Sequence, residues 1–202
     1  YRRHTNFSME SIQQNFNGTA DFGRKITCTI SRNGDLIHKI YLQSTLPQIN
    51  VNDGATQTNL KAFRWLNWIG HVLIKNIEIE IGGQRIDKHY GDWLHIWNEL
   101  SQTPGHASGY AEMVGNVPRL TQISFTRGDT CTVPQYTLYI PLQFWFCRNP
   151  GLALPLIALQ YHEVKLNLEI RSLEECIWAR QEDLTTNIIT SGSNVLTQSS
   201  KS

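Results

Sequence analysis

Seven histidines are the residues of this chain best suited to bind a metal ion. A metal site built on a strand takes a close histidine pair together with a glutamate and a further histidine. The sequence contains neither HxH nor HxxxH, and His89 and His95 are separated by a turn and a helix start. We therefore predict no metal ligand among the histidines, which are His4, His38, His71, His89, His95, His106 and His162.

Three carboxylates, Asp87, Asp92 and Glu99, contain the groups that a glycoside hydrolase uses as an acid and base pair. Solvated charges and a helix cap account for them better. The nucleophile motif G-x-S-x-G does not occur, and Gly82-Gly83 follows a strand without developing into G-x-G-x-x-G or a phosphate-binding loop. The sequence thus predicts no catalytic residue and no cofactor-binding residue.

Four tryptophans, Trp65, Trp68, Trp93 and Trp97, could stack against sugar rings. Trp93 and Trp97 are spaced as on one face of a helix, which favours packing in the core or in a subunit interface. We expect packing, and we keep a carbohydrate-binding module as the alternative.

The charge of the chain indicates the kind of partner it binds. It has 18 basic and 17 acidic residues, a net charge of +1, and 17% charged residues. Arg2, Arg3 and Arg24 are too few for a phosphate-binding patch, so we predict no direct contact with nucleic acid. A charge-poor chain is typical of a protein that buries its surface against neighbours.

Two further features carry little functional signal. The cysteines Cys28, Cys131, Cys147 and Cys176 are scattered, which predicts separate reduced thiols. Asn6-Phe7-Ser8 and Asn17-Gly18-Thr19 match the glycosylation pattern, but so short a pattern does not predict whether Asn6 or Asn17 is modified.

Period-2 alternation is the dominant structural signal, and it predicts antiparallel strands with one buried face. Ile77, Ile79 and Ile81 should point inward, with Glu78 and Glu80 outward. The same pattern runs through Val164 to Arg171 and Leu138 to Phe146. Shorter strands are predicted at Ile26 to Ile30, from Phe7 to Met9, and from Ile37 to Leu46.

Turns and short helices separate these strands. Gly82-Gly83 predicts a tight hairpin. Trp93, Ile96, Trp97 and Leu100 follow helical spacing behind Asp92, a candidate N-cap, and Pro155 suits the first turn of a helix over Leu154 to Gln160. Long loops are expected at Pro47 to Asn59 and Gln102 to Thr121, where subunit contacts are most easily placed.

These elements predict an all-β fold, a jelly-roll β-sandwich of two antiparallel sheets with short helical inserts. We assign residues 1–178 to an N-terminal jelly-roll domain. The composition becomes rich in Ser, Thr, Asn and Gln beyond it, so we assign residues 179–202 to a polar loop or linker.

Long segments of the chain resemble the major capsid protein of the nucleocytoplasmic large DNA viruses. They occur in that family's order across most of the first 171 residues, so the resemblance is specific. The segments are YRRHTNFSMESIQQNFNG at Tyr1 to Gly18, ISRNGDLI at Ile30 to Ile37, IEIGGQRIDKHYGDW at Ile79 to Trp93 and RNPGLALPLIALQYHEVKLNLEI at Arg148 to Ile170.

The resemblance implies one half of a double jelly roll, with the last strand of this first jelly roll beyond residue 202. It implies a homotrimeric capsomer with a pseudo-hexagonal outline, which contacts neighbouring capsomers, minor capsid proteins and penton proteins near an internal viral membrane. The virion, assembled in the cytoplasm of the infected host cell, is the implied location. We expect this structural role, with the carbohydrate-binding module and a jelly-roll enzyme of the cupin kind as alternatives.

Overall fold

The computed structural model describes residues 6–51, 60–125, 131–182 and 189–192. Within them the chain forms mostly short strands, with a few helical turns between. The strands are β1 Lys25–Thr29, β2 Leu36–Ile37, β3 Tyr41–Leu46, β4 Ile49–Val51, β5 Leu60–Trp65, β6 Ile74–Ile81, β7 Gln84–Tyr90, β8 Ser124–Phe125, β9 Cys131–Val133, β10 Tyr136–Pro141, β11 Leu154–Pro155, β12 Val164–Ile170, β13 Ile177–Glu182 and β14 Ile189–Gly192. The helices are α1 Ile69–Leu73, α2 Gly91–Ser101, α3 Ala107–Val114, α4 Pro118–Thr121 and α5 Trp145–Arg148, with 3₁₀ turns at Pro104–His106, Pro150–Leu152 and Leu173–Glu175.

The first sheet has the order β1-β12-β6-β7, and all its pairs are antiparallel. Its register places Cys28 opposite Leu166 and Leu166 opposite Ile79, so apolar side chains form rows across three strands. Ile77, Ile79, Val164, Leu166 and Leu168 are buried, while Ile81 and Ile170 at the strand ends are half-buried. The inward and outward sets predicted from the alternation are confirmed.

A two-residue hairpin joins β6 to β7. Gly82 and Gly83 have φ angles of 59° and 84°. Positive φ at both central positions belongs to the tight hairpin turn whose twist matches that of the strands. The hairpin predicted from Gly82-Gly83 is confirmed.

A second four-stranded antiparallel sheet has the order β14-β13-β5-β8, and the pairs β3–β10, β4–β9 and β2–β11 complete the β-structure of the described chain. Trp65, Ile177, Leu138 and Phe144 join the inward side chains of the first sheet in one continuous core. Two packed antiparallel sheets with short helices confirm the all-β jelly-roll prediction.

Three strand predictions are wrong in detail. Phe7 and Met9 lie outside any strand and are 54% and 66% exposed. Ile37 to Leu46 is divided into β2 and β3, which pair with different partners. In Leu138 to Phe146 every second side chain is buried, as the alternation predicts, but the strand ends at Pro141. The last of these buried side chains, Phe146, lies in α5, which begins at Trp145.

Two predictions about helices and loops also need correction. Leu154 to Gln160 is not a helix, because Leu154 and Pro155 pair with Ile37 and Leu36 as a short strand. The expected loop from Gln102 to Thr121 contains a 3₁₀ turn, α3 and α4. The helix predicted over Asp92 to Leu100 is confirmed as α2, although Tyr90 occupies the N-cap position and Asp92 lies in the first turn.

None of the helices in the described ranges is long and apolar enough to cross a membrane.

The predicted boundary at residues 178 and 179 falls inside a strand. β13 runs from Ile177 to Glu182, and β14 pairs with it. Residues 179–182 and 189–192 are strands rather than the expected loop, because β13 pairs with β5 and β14 pairs with β13, and this pairing overrides their polar composition. Residues 183–188 and 193–202 lie outside the described ranges. The division into a domain and a linker stays a prediction.

Candidate assembly surface

Helix α2 packs closely against α1 because its first residue, Gly91, has no side chain. Gly91 lies so close to α1 that a Cβ there would be 2.0 Å from the carbonyl oxygen of His71 and 2.5 Å from that of Ile74. Leu94 and Asn98 follow Gly91 on the same helical face and are buried with it. The close approach of Gly91 therefore fixes which side of α2 faces inward.

The apolar stripe of α2 consequently faces outward. Ile96 is 51% exposed and Leu100 is 79% exposed, while Trp93 and Trp97 are half-buried. Trp93 packs against the core, as expected of a side chain that covers one end of the barrel. Ile96 is exposed, so the alternative of a subunit contact stays open. We call Ile96, Trp97 and Leu100 the α2 surface. Trp93 lies at its border, with its ring centroid 5.7 Å from that of Trp97.

Arg148 at the end of α5 orders this surface. Its guanidinium lies 4.5 Å from the ring centroid of Trp97 and 5.8 Å from that of Trp93. Its Nε and Nη2 atoms both donate to the carbonyl oxygen of Gln143, at 3.3 Å each. A cation over aromatic faces holds side chains in one arrangement, so the α2 surface is preorganised for contact.

A cluster of aromatic side chains from α1, α2 and α3 lies beside the α2 surface. His71 Nε2 is 2.7 Å from the hydroxyl of Tyr110, and Trp68 stacks parallel to the His71 ring at 5.6 Å between centroids. Burial, followed by the charge of nearby His95, lowers the pKa of His71 to about 4, and burial raises the pKa of Tyr110 to about 12. Both groups are therefore neutral near pH 7, and their hydrogen bond joins α1 to α3.

The four tryptophans proposed as a sugar platform do not form one surface. Trp65 is fully buried, edge-on to Phe63 at 5.3 Å between centroids. Trp68 belongs to the cluster around His71, and only Trp93 and Trp97 lie together at the surface. The prediction of core packing is thus correct for Trp65. The helical spacing also correctly predicted that Trp93 and Trp97 lie side by side.

The three candidate carboxylates lie in different surroundings. Asp87 lies on β7, and Asp92, with an 85% exposed side chain, is 3.5 Å from Arg171. Glu99 is exposed on α2. A general acid usually needs burial to raise its pKa, and neither Asp92 nor Glu99 is buried.

His71 and His95 pack together, with ring centroids 5.7 Å apart, whereas the other described histidines lie apart from them. His89 is buried and stacks on Phe144 at 4.2 Å, and burial lowers its pKa. His38 is half-buried, His106 is hydrogen-bonded to Thr103, and His162 is exposed near Gly82. In the part of the chain that the structure describes, no group of three or more His, Cys, Asp or Glu residues is arranged to hold a metal ion.

The remaining candidates can be placed briefly. Cys28, Cys147 and Cys176 are free and buried, and burial raises the pKa of all three thiols, to about 11 for Cys147 and about 12 for Cys176. Asn6 and Asn17 are exposed, and Arg24 lies in the turn before β1. Arg2, Arg3 and His4, and the side chain of Cys131, lie outside the described residues.

Comparison with known proteins identifies the chain. It is 56% identical over 198 residues to the major capsid protein of Phaeocystis pouchetii virus, covering 89% of this chain and 37% of that protein. It is 42% identical over 172 residues to the major capsid protein of Paramecium bursaria Chlorella virus 1, covering 85% and 35%. The chain thus spans little more than a third of the length of these curated relatives.

Solved structures agree with the sequence relatives. The PBCV-1 virus capsid matches with a TM-score of 0.65 at 40% identity, covering 85% of this chain and 37% of that one. The Faustovirus major capsid protein matches with a TM-score of 0.58 over 89% and 46% of the two chains, and at 13% identity it shows the fold alone. A family profile described as "Major capsid protein N-terminus" matches residues 1–200. The chain belongs to this family, the N-terminal part of viral major capsid proteins.

Proposed function

We propose that this chain forms part of the wall of an icosahedral virus capsid, as one jelly roll of a major capsid protein. The match of residues 1–200 to the capsid family carries the proposal. The exposed apolar stripe of α2 supports it from the structure, because such a surface needs a partner to cover it. The role is structural rather than enzymatic, as the names of the relatives indicate.

The proposed partners follow from the same role. The whole protein associates with itself as a homotrimeric capsomer, and capsomers contact one another in the virion. Minor capsid and penton proteins, and an internal viral membrane, are the further neighbours we expect, with assembly in the cytoplasm of the host cell. The near-neutral charge of the chain supports protein contacts over nucleic acid.

We propose the α2 surface as one of the contacts between subunits. Trp97 is a side chain of the type that dominates binding energy in interfaces, and Arg148 holds it in place. Leu100 presents more of its side chain to solvent than any other residue of the stripe. Burying these groups against a neighbour removes their apolar surface from water, which is favourable.

Light scattering on the full-length protein tests the function. We expect a stable trimer at micromolar concentration. A monomer that does not associate under any salt condition would count against a capsid subunit and favour the carbohydrate-binding alternative.

Substitution on α2 tests the surface separately. Leu100→Ser should weaken association by about 10-fold, because an apolar group is lost from the contact. Glu99→Ser, on the same helix and also exposed, should leave it within about twofold. If both variants form trimers as the parent does, the α2 surface is not the contact, while the capsid role stands.

A further inference from the structure

A cavity of about 300 Å³ opens beside the border of the α2 surface. The end of β7, the start of α2 and the end of α5 form its wall. Its lining residues are Asp87, Lys88, His89, Tyr90, Trp93 and Arg148. The lower limit of ordinary small-molecule pockets is about the same volume, which corresponds to one or two sugar rings.

The polar groups of this cavity include both an acceptor and a donor. The Asp87 carboxylate accepts a hydrogen bond from its neighbouring backbone N–H of Lys88 through Oδ1, at 2.8 Å, and its two oxygens offer further acceptor sites. Arg148 is anchored through two N–H groups on Gln143, and its guanidinium carries five donors in all. Lys88 is paired with Glu78 at 2.9 Å, so its ammonium is already engaged.

The apolar part of the cavity is aromatic. Tyr90 is 52% exposed, with the Lys88 ammonium 5.2 Å from its ring centroid, and Trp93 is half-buried, with the Arg148 guanidinium 5.8 Å from its ring centroid. A ligand can therefore pack only on the part of each ring that these cations leave open. His89 contributes a rigid inner wall, since it is 3% exposed and stacked on Phe144. Flat aromatic side chains present apolar faces at a fixed position, with little loss of conformational entropy on binding.

This combination selects a class of ligand by exclusion. A simple anion would gain from Arg148 but would be repelled by Asp87 in the same cavity, and Glu78 offsets the charge of Lys88. A purely apolar ligand would strip water from both charges without replacing their hydrogen bonds. A sugar ring satisfies both requirements, because its hydroxyls donate to a carboxylate and accept from a guanidinium, while its C–H faces pack on aromatic rings.

We propose that this cavity binds a neutral pyranose, as a glycan-binding site on the capsid subunit. Asp87 accepts from sugar hydroxyls, Arg148 donates to them, and Tyr90 and Trp93 pack on the ring. Ile96, Trp97 and Leu100 of the α2 surface do not line the cavity, although Arg148, which lines it, also holds Trp97. The proposed site uses the aromatic rings of Tyr90 and Trp93 and does not need a surface formed by four tryptophans.

Ligand-observed saturation-transfer NMR on the full-length protein tests the proposal. The probes are the methyl glycosides of glucose, galactose, mannose and N-acetylglucosamine, titrated to about 50 mM. We expect at least one to saturate with a Kd on the order of 1 mM, typical of a small open site. No saturation by any of the four would overturn the proposal.

Matched substitutions locate the site. Asp87→Asn should weaken binding of that glycoside by about 10-fold, because a charged hydrogen bond is lost. Asp92→Asn, an exposed carboxylate nearby that does not line the cavity, should change the Kd by less than about twofold. Equal effects of the two variants, or no effect of Asp87→Asn, would place the sugar elsewhere and overturn the site.

Sodium sulfate separates a sugar site from an anion site. We expect about 10 mM sulfate to leave glycoside binding unchanged at constant ionic strength, because Asp87 disfavours an anion in the cavity. Competition by sulfate would show an anion site instead and would overturn the proposal. Light scattering of the same samples reports association independently, so a failed sugar titration leaves the capsid role untouched.

Discussion

The outer face of the first sheet and the outward face of α2 are both directed away from the core, but their chemistry is opposite. On the sheet, Thr27 donates to Asn167 at 2.7 Å, and Asn167 donates to Glu80 at 3.1 Å. Lys88 pairs with Glu78 on the same face at 2.9 Å. These polar side chains satisfy one another across four strands, so the sheet face is complete without a partner.

On α2 one polar residue is buried and a large apolar residue is exposed. Asn98 is buried, while Leu100 is 79% exposed. A helix that buries an amide and exposes a leucine would lose stability without a compensating contact. The difference supports the proposal that a neighbouring subunit covers the α2 surface, whereas the sheet face can meet solvent.

The largest expected effect tests which side of α2 is inside. Gly91→Ala places a Cβ 2.0 Å from the backbone oxygen of His71, so α2 must move away from α1. We expect a loss of more than about 4 kcal/mol in the free energy of unfolding, measured by chemical denaturation. Gly105→Ala is the control, since a Cβ there meets no atom within 4 Å. If the two variants had equal stability, the described orientation of α2 would be wrong.

The next effect compares two tryptophans. Trp65→Ala removes a fully buried ring and should cost about 3–5 kcal/mol. Trp97→Ala removes a half-buried ring at the surface and should cost about 1 kcal/mol in the monomer. Thermal unfolding at a protein concentration too low for association measures both losses of stability. Equal losses would mean that Trp97 belongs to the core rather than to a contact surface.

The sequence predicted the sheet face correctly but left the direction of the helix face open, for a physical reason. In a strand such as β6, alternation alone sets the face, and Ile77 and Ile79 could only point inward together. In α2, spacing groups Trp93 with Trp97 but does not say whether that group faces the core. Gly91 decides it, through a backbone contact with α1 that depends on tertiary structure. The cavity beside Trp93 could not be predicted from the sequence either, because its lining combines residues of β7 with Arg148, which is more than 50 residues further along the chain.

Acid should destabilise the fold through buried His71, and also through buried His89 on β7, because burial lowers the pKa of both. The pKa of His71 is about 4 in the folded protein, against an ordinary value of 6.5, so its contribution is full above about pH 6.5 and is lost as pH falls toward 4. The loss amounts to about 3 kcal/mol at the acid limit. Denaturation midpoints measured between pH 7 and pH 4 should show it.

Substitution assigns this acid effect to His71. His71→Leu should reduce the pH dependence across that window, with buried His89 contributing to what remains, whatever the substitution does to stability at pH 7. His106→Ala, which removes an exposed histidine, should keep the dependence of the parent. An unchanged slope in His71→Leu would assign the acid sensitivity to other groups.

The smallest effect completes the comparison, because it should affect folding without affecting assembly. Asn167→Ala removes the side chain that links Thr27 to Glu80 on the outer face of the sheet. Because the site is half-buried and water can replace part of the bonding, we expect a loss of about 1 kcal/mol in unfolding free energy. Trimer formation by light scattering should match the parent, whereas Leu100→Ser should weaken it at nearly unchanged stability. If Asn167→Ala instead reduced association as Leu100→Ser does, the polar sheet face would be an interface as well, and the contrast between the two faces would no longer separate solvent from partner.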